Sequence, residues 1–122
     1  KVTELNVSGP FHSPLLQGAG EKLGKELESV TLGDLKIPYL ANVNAQPVTD
    51  KAQIKDLLTA QVSNPVKWEQ TLYELEKMGV DTIVEVGPGR TIAGFVRRTV
   101  PSIKVIGVSK PEDIEKLKEK LG

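Results

Sequence analysis

The sequence predicts an α/β fold, and three observations carry that expectation. Strand-like and helix-like segments alternate along the 122 residues. Two short apolar runs, Thr82-Ile83-Val84-Glu85-Val86 and Ile103 to Val108, read as interior strands. Gly87-Pro88-Gly89 then turns sharply from the first of these into a helical pattern, which needs backbone of positive φ. No internal repeat or low-complexity tract interrupts the alternation.

Each element has a local reason. Val2-Thr3-Glu4-Leu5-Asn6-Val7 alternates as a strand, and the chain opens on it without a Met, as if cut from something longer. Ser13-Pro14 reads as N-cap and first helical residue, where the missing proline N–H would have no intrahelical partner anyway. The helix that follows places Leu16, Ala19, Leu23, Leu27 and Val30 on one stripe. Gly18, Gly20 and Gly24 weaken it by about 1 kcal/mol each relative to Ala, so close packing is expected there.

Ile37 to Leu40 reads as a short strand and 42–49 as a loop. Asp50 caps a second helix, with Gln53 in capping-box position and Ile54, Leu57, Leu58 and Val62 on its apolar face. Pro65 ends that helix. With Asn64 as cap, a third helix runs through Trp68, Leu72, Leu75 and Met78 to a stop at Gly79. A fourth helix holds Ile92, Phe95 and Val96, with Arg97 and Arg98 near its C-terminal end. Ser109-x-x-Glu112 opens a final charged helix.

Composition narrows the function classes. At 39% hydrophobic and 26% charged, the chain suits one ordinary soluble domain or a fragment of a larger one. Sixteen basic and sixteen acidic residues cancel, which argues against nucleic acid or an anionic membrane as the main partner. The absence of cysteine excludes disulfides and thiolate metal sites and fits a cytoplasmic location. No apolar run approaches membrane-spanning length. With a single histidine and no cysteine, no transition-metal site is expected.

That histidine is the sharpest chemical feature. His12 lies in Gly9-Pro10-Phe11-His12-Ser13-Pro14, between extended chain and a helix start. Two readings stand side by side: a general base, its neutral form favoured by the positive end of the helix dipole, or an imidazole packed in a turn or exposed to solvent. Gln61 bears on the choice. It falls in the last turn before Pro65, where helix carbonyls lack intrahelical partners. A free carbonyl there can accept Nδ1–H and fix the tautomer; a boundary glutamine is the alternative.

No G-x-S-x-G elbow occurs, so the usual nucleophiles are missing. Gly87-Pro88-Gly89 is neither G-x-G-x-x-G nor a Walker loop, and serves better as a tight turn than as a phosphate cradle. Glu85, the lone acid in an apolar strand, is either buried and paired with Arg90 or facing solvent. The Lys-Glu run from Pro111 to Lys120 reads as a solvated helix face.

Three motifs in order carry a resemblance: Val7-Ser8-Gly9-Pro10-Phe11-His12-Ser13-Pro14-Leu15, Asn64-Pro65-Val66-Lys67-Trp68 and Glu85-Val86-Gly87-Pro88-Gly89-Arg90. Together they resemble the C-terminal portion of malonyl-CoA:acyl carrier protein transacylases, over essentially the whole chain. The resemblance implies part of an α/β-hydrolase-like acyltransferase large subdomain, residues 9–122. Residues 1–8 would be the last strand of a ferredoxin-like small subdomain. It further implies ping-pong malonyl transfer from coenzyme A to acyl carrier protein in fatty acid biosynthesis. His12 matches the catalytic histidine, and Gln61 the residue whose main-chain carbonyl orients it. Phe11 sits where malonyl-selective members carry phenylalanine. Malonyl-CoA and the carrier's phosphopantetheine would be substrates, with no cofactor.

The family's serine elbow, its malonate-binding arginine and its oxyanion-hole loop match nothing in this chain. The implied partners are therefore acyl carrier protein and the N-terminal segment of the same enzyme, without which the chain is expected to be inactive. The competing expectations are a non-enzymatic binding or scaffold module on the same fold and an independent α/β regulatory domain. Open strand edges further predict that the isolated chain self-associates.

Overall fold

The computed structural model describes residues 2–4 and 6–121. It is mixed helix and strand, as the alternation predicts. The chain divides into two compact units, Lys1–Trp68 and Glu69–Gly122.

In the first unit, a 3-10 turn at Pro14–Leu16 leads into α1, Gln17–Glu28. A two-residue strand β1, Tyr39–Leu40, pairs antiparallel with β2, Pro47–Val48. A second 3-10 turn, Lys51–Gln53, then enters α2, Ile54–Ser63. The core gathers Ala41, Val48 and Ile54, with Leu32, Leu35, Tyr39, Val43, Leu57 and Leu58 partly buried around them. Burial of the Tyr39 ring pushes its phenol above the ordinary tyrosine range.

Several local expectations need correction. Among the described residues, none of 2–4 or 6–7 belongs to a strand, and Val2 and Val7 are exposed. An alternating pattern supplies only half of a ladder; Leu5 of that pattern lies outside the described residues. The span 42–49 is not all loop, since β2 lies within it. The buried face of α1 is rotated from the expected stripe: Ala19 and Val30 are exposed, while Gly20 is buried beside half-buried Leu23, Gly24 and Leu27.

The rotation follows from close helix packing. A Cβ at Gly20 would lie 3.0 Å from the Thr59 carbonyl oxygen, and one at Gly24 would lie 3.3 Å from Thr59 Oγ1. Gly20 thus lets α1 approach the α2 backbone, and Gly24 leaves room for the Thr59 side chain. Gly18 has nothing within 4 Å and contributes nothing to that approach.

The second unit takes up α3, Trp68–Lys77, from its second residue onward. The helix stops as predicted at Gly79, whose φ of +80 admits the left-handed cap, with Gly79 N–H donating to the Glu76 carbonyl and Val80 N–H to that of Leu75. Strand β3, Thr82–Val86, pairs in parallel with β4, Lys104–Val108, through the crossover helix α4, Thr91–Thr99. The register sets Glu85 opposite Gly107. Helix α5 spans Asp113–Leu121. Leu72, Val96, Val100 and Ile103 are buried here.

Glu85 meets neither expectation made for it. Its Oε1 accepts the Ile92 N–H at 2.9 Å and its Oε2 the Ala93 N–H at 3.1 Å. The carboxylate reaches across the Gly87-Pro88-Gly89 turn, where Gly87 and Gly89 hold φ of +131 and +97. It satisfies two of the N–H groups that the first turn of α4 leaves unpaired. Asp113, the first residue of α5, instead reaches back to the chain before the helix, taking the N–H groups of Ser109 and Lys110 on Oδ2. The Ser109 bond leads in holding its carboxyl below the ordinary aspartate range, assisted by the Lys110 bond.

Candidate functional site

The first unit brings His12 and Gln61 together across 49 residues of sequence. His12 Nδ1 lies 2.8 Å from the Gln61 carbonyl oxygen. A carbonyl only accepts, so this contact requires Nδ1 to carry a proton; in the neutral ring the lone pair is then on Nε2. The residue is exposed.

The backbone around His12 is unusual. Its φ is +55, in the left-handed region that non-glycine residues enter at a cost, although histidine is among the types enriched there. Two bonds hold this conformation. Ser13 Oγ donates to the Pro10 carbonyl at 2.7 Å, and Leu16 N–H donates to the Ser13 carbonyl at 3.0 Å. Ser13 therefore does not cap the turn that follows it with its side chain, contrary to the sequence expectation; its hydroxyl closes the turn before it. Strain of this kind, about 1–3 kcal/mol per residue, persists only where the surroundings over-determine it.

Gln61 is presented by the last turn of α2. Asn64 follows the helix with extended backbone, φ −117 and ψ 152. Its side chain does not cap α3, as expected, but turns back: Nδ2 donates to the Ala60 carbonyl at 2.7 Å. The signal for this was present in the sequence, since Asn64 stands four residues after Ala60 and directly before Pro65.

Phe11, the third predicted site residue, adjoins His12 with its side chain largely exposed, at 63%. A groove of about 410 Å³ runs beside the N-terminal end of α1, lined by Pro14, Gln17, Gly20, Glu21, Thr59, Ala60, Ser63 and Asn64; Phe11, His12 and Gln61 are not among its walls. The second unit has its own groove of about 370 Å³, walled largely by charged side chains including Arg90, Arg97 and Lys116. Among the described residues, no three of His, Cys, Asp or Glu group to hold a metal ion, and no helix is long and apolar enough to cross a membrane.

No family model matches the chain. The malonyl CoA-acyl carrier protein transacylase of Bacillus subtilis is 42% identical over 115 residues, which are 94% of this chain and 36% of that protein. The crystal structure of the acyl-carrier-protein S-malonyltransferase of Bartonella henselae superposes with a TM-score of 0.89 at 36% identity, over 97% of this chain and 38% of that one. A malonyl-transacylase solved in complex with its type II PKS acyl-carrier protein superposes with a TM-score of 0.88 at 30% identity, over 95% of this chain and 38% of that one. The chain thus spans little more than a third of the curated relatives it matches. It is homologous to part of the malonyl CoA-acyl carrier protein transacylases and shares their acyltransferase fold over nearly all of its own length.

Proposed function

We propose that this chain supplies the general base of a malonyl transfer from coenzyme A to acyl carrier protein in fatty acid biosynthesis, a cytoplasmic reaction. The observation that carries the reading is the 2.8 Å contact between His12 Nδ1 and the Gln61 carbonyl. In the neutral imidazole it puts the lone pair on Nε2, and it orients the ring by a helix-end carbonyl rather than by a carboxylate. The strained backbone of His12 supports the same reading, because such conformations gather where geometry matters to chemistry.

The nucleophile is a serine of polypeptide outside these 122 residues. Nε2 takes the hydroxyl proton as the serine oxygen attacks the malonyl thioester carbonyl. The tetrahedral adduct collapses, the C–S bond breaks, and the imidazolium returns the proton to the departing coenzyme A thiolate. The second half runs in reverse, with Nε2 taking the proton of the phosphopantetheine thiol as it attacks the malonyl ester. In this reading residues 1–8 close a small subdomain and 9–122 belong to the large one. Phe11 crowds an α-methyl group and so favours malonyl over methylmalonyl, a discrimination of roughly 1–3 kcal/mol.

A chimera tests this. In the Bacillus subtilis transacylase, the aligned segment is replaced by this chain and malonyl transfer to acyl carrier protein is followed by mass. The chimera is expected to be active. His12→Asn, which tolerates positive φ but is not a base, should lower kcat by about 10²–10⁴-fold. Phe11→Ser should raise the relative use of methylmalonyl-CoA by about 10–200-fold. An active chimera whose rate survives the loss of His12 removes the histidine from the mechanism.

A further inference from the structure

The geometry points to the Asn64-Pro65 pair as a positioning device: we infer that it keeps the Gln61 carbonyl open for His12. In a continuing α-helix, the carbonyl of Gln61 would accept the N–H of the residue four places on. That residue is Pro65, which has no N–H to give. Proline also disfavours helical backbone in the residue before it, and Asn64 is extended accordingly. The last turn of α2 therefore leaves the Gln61 carbonyl without its usual partner, beside an Ala60 carbonyl that accepts from a side chain. Asn64 Nδ2 occupies the oxygen of Ala60 at 2.7 Å. His12 Nδ1 occupies the oxygen of Gln61 at 2.8 Å.

The division of these two acceptors has a chemical consequence. With the Ala60 oxygen engaged by Asn64, the imidazole bonds the neighbouring oxygen of Gln61, which sets its tautomer. With an N–H at position 65, the Gln61 oxygen would have a competing donor supplied by its own helix. Intrahelical donation costs no new chain ordering beyond one residue, whereas the His12 contact requires a strained turn 49 residues away. An N–H aligned with the helix would share the Gln61 oxygen, and the bond that selects the Nδ1–H form of the imidazole would be weakened. For catalysis this rests on the base role proposed above; for the tautomer it does not.

The test uses the fact that His12 is the single histidine of the chain. The full chain is labelled with ¹⁵N-histidine, and the ring nitrogen shifts are read at a pH where the imidazole is neutral. Wild type should show the Nδ1–H form. Pro65→Ala should move the population toward the Nε2–H form that predominates in a solvated imidazole, and the amide introduced at position 65 should be protected from hydrogen exchange. N-methylalanine at position 65 lacks the N–H and restricts Asn64 as proline does, so it should retain the Nδ1–H form even if the alanine variant does not fold. In the chimera, Pro65→Ala should lower kcat by about tenfold with KM little changed.

A wild-type tautomer that persists in folded Pro65→Ala, or that vanishes in the folded N-methylalanine chain, overturns the inference. A tautomer that switches without any loss of kcat upholds the inference and overturns the proposed role of His12.

Discussion

Gly20→Ala should loosen the site without touching it. The added methyl would lie 3.0 Å from the Thr59 carbonyl oxygen and 3.6 Å from Val62 Cβ. Ordinary contact begins at about 3.5 Å, so the oxygen intrudes by a few tenths of an ångström. It is a backbone atom and cannot rotate aside; α1 or α2 must shift as a whole. Overpacking of this kind costs about 1–3 kcal/mol. Against it stands a helix gain of about 0.5–1 kcal/mol for replacing glycine by alanine. Gly18→Ala isolates that gain, since it is exposed on the same helix with nothing within 4 Å of its Cβ position.

The difference between the two variants therefore reports the overpacking, about 1–3 kcal/mol, with most of the propensity term cancelled. Urea unfolding followed by circular dichroism reads it directly. With a slope of about 1–3 kcal/mol per molar urea, the midpoints should separate by about 1 M, Gly18→Ala being the more stable. Because His12 stands just before the 3-10 turn that leads into α1, and Gln61 belongs to α2, the shift that relieves the clash should also lengthen their 2.8 Å bond. Equal midpoints for the two variants would show that α1 and α2 do not meet at Gly20.

Two further predictions concern carboxylates that bind backbone N–H groups at helix starts. Glu85→Gln keeps one carbonyl acceptor but sets an NH₂ group against an N–H of the first turn of α4, and should cost about 1–2 kcal/mol by urea unfolding. A cost near zero would mean that Glu85 does not cap α4 in solution. The lowered Asp113 carboxyl gives stability that is fully present above the ordinary aspartate range and is lost as pH falls through its folded value. Hydrogen exchange at the Ser109 and Lys110 amides, corrected for the intrinsic rate, should quicken as acid is added, and Asp113→Asn should remove that dependence. Protection at these amides that does not change in acid would refute these bonds.

What was legible in the sequence divides by the range of its cause. Pro65 is a covalent fact: it marked the end of α2, and with it a last turn whose carbonyls lack intrahelical partners. Gly79, Gly87 and Gly89 marked turns for the same reason, and all three hold positive φ. The helices followed from period and breakers. The face of α1 did not, because a glycine scores as neutral in an apolar stripe while being, at Gly20, the residue that lets a neighbouring backbone in. The β1–β2 ladder was half seen, since pairing is non-local and two residues make too short a run for alternation to show. The left-handed φ of His12 left no mark at all: nothing in a Pro-Phe-His-Ser run demands it until the Ser13 hydroxyl is found on the Pro10 carbonyl.

Glu85 shows why a charge in a strand is hard to read. Sequence offers it solvent or a basic partner, and Arg90 stands at a plausible spacing. The structure gives it neither. The carboxylate at the end of β3 is spent on two N–H groups of the helix that begins six residues later, while Arg90 occupies the N-cap position and makes no side-chain cap. A capping residue is expected at the helix boundary, and here the cap is delivered from the strand by a turn whose glycines let the chain double back. The same substitution of source occurs at the end of α2, where the imidazole that completes the helix comes from a turn 49 residues away. In both places an unpaired helix end is satisfied by a side chain from elsewhere. At α4 the acceptor is a carboxylate and the result is stability. At α2 the donor is an imidazole whose other nitrogen remains free, and that free nitrogen is what makes the second arrangement chemically useful.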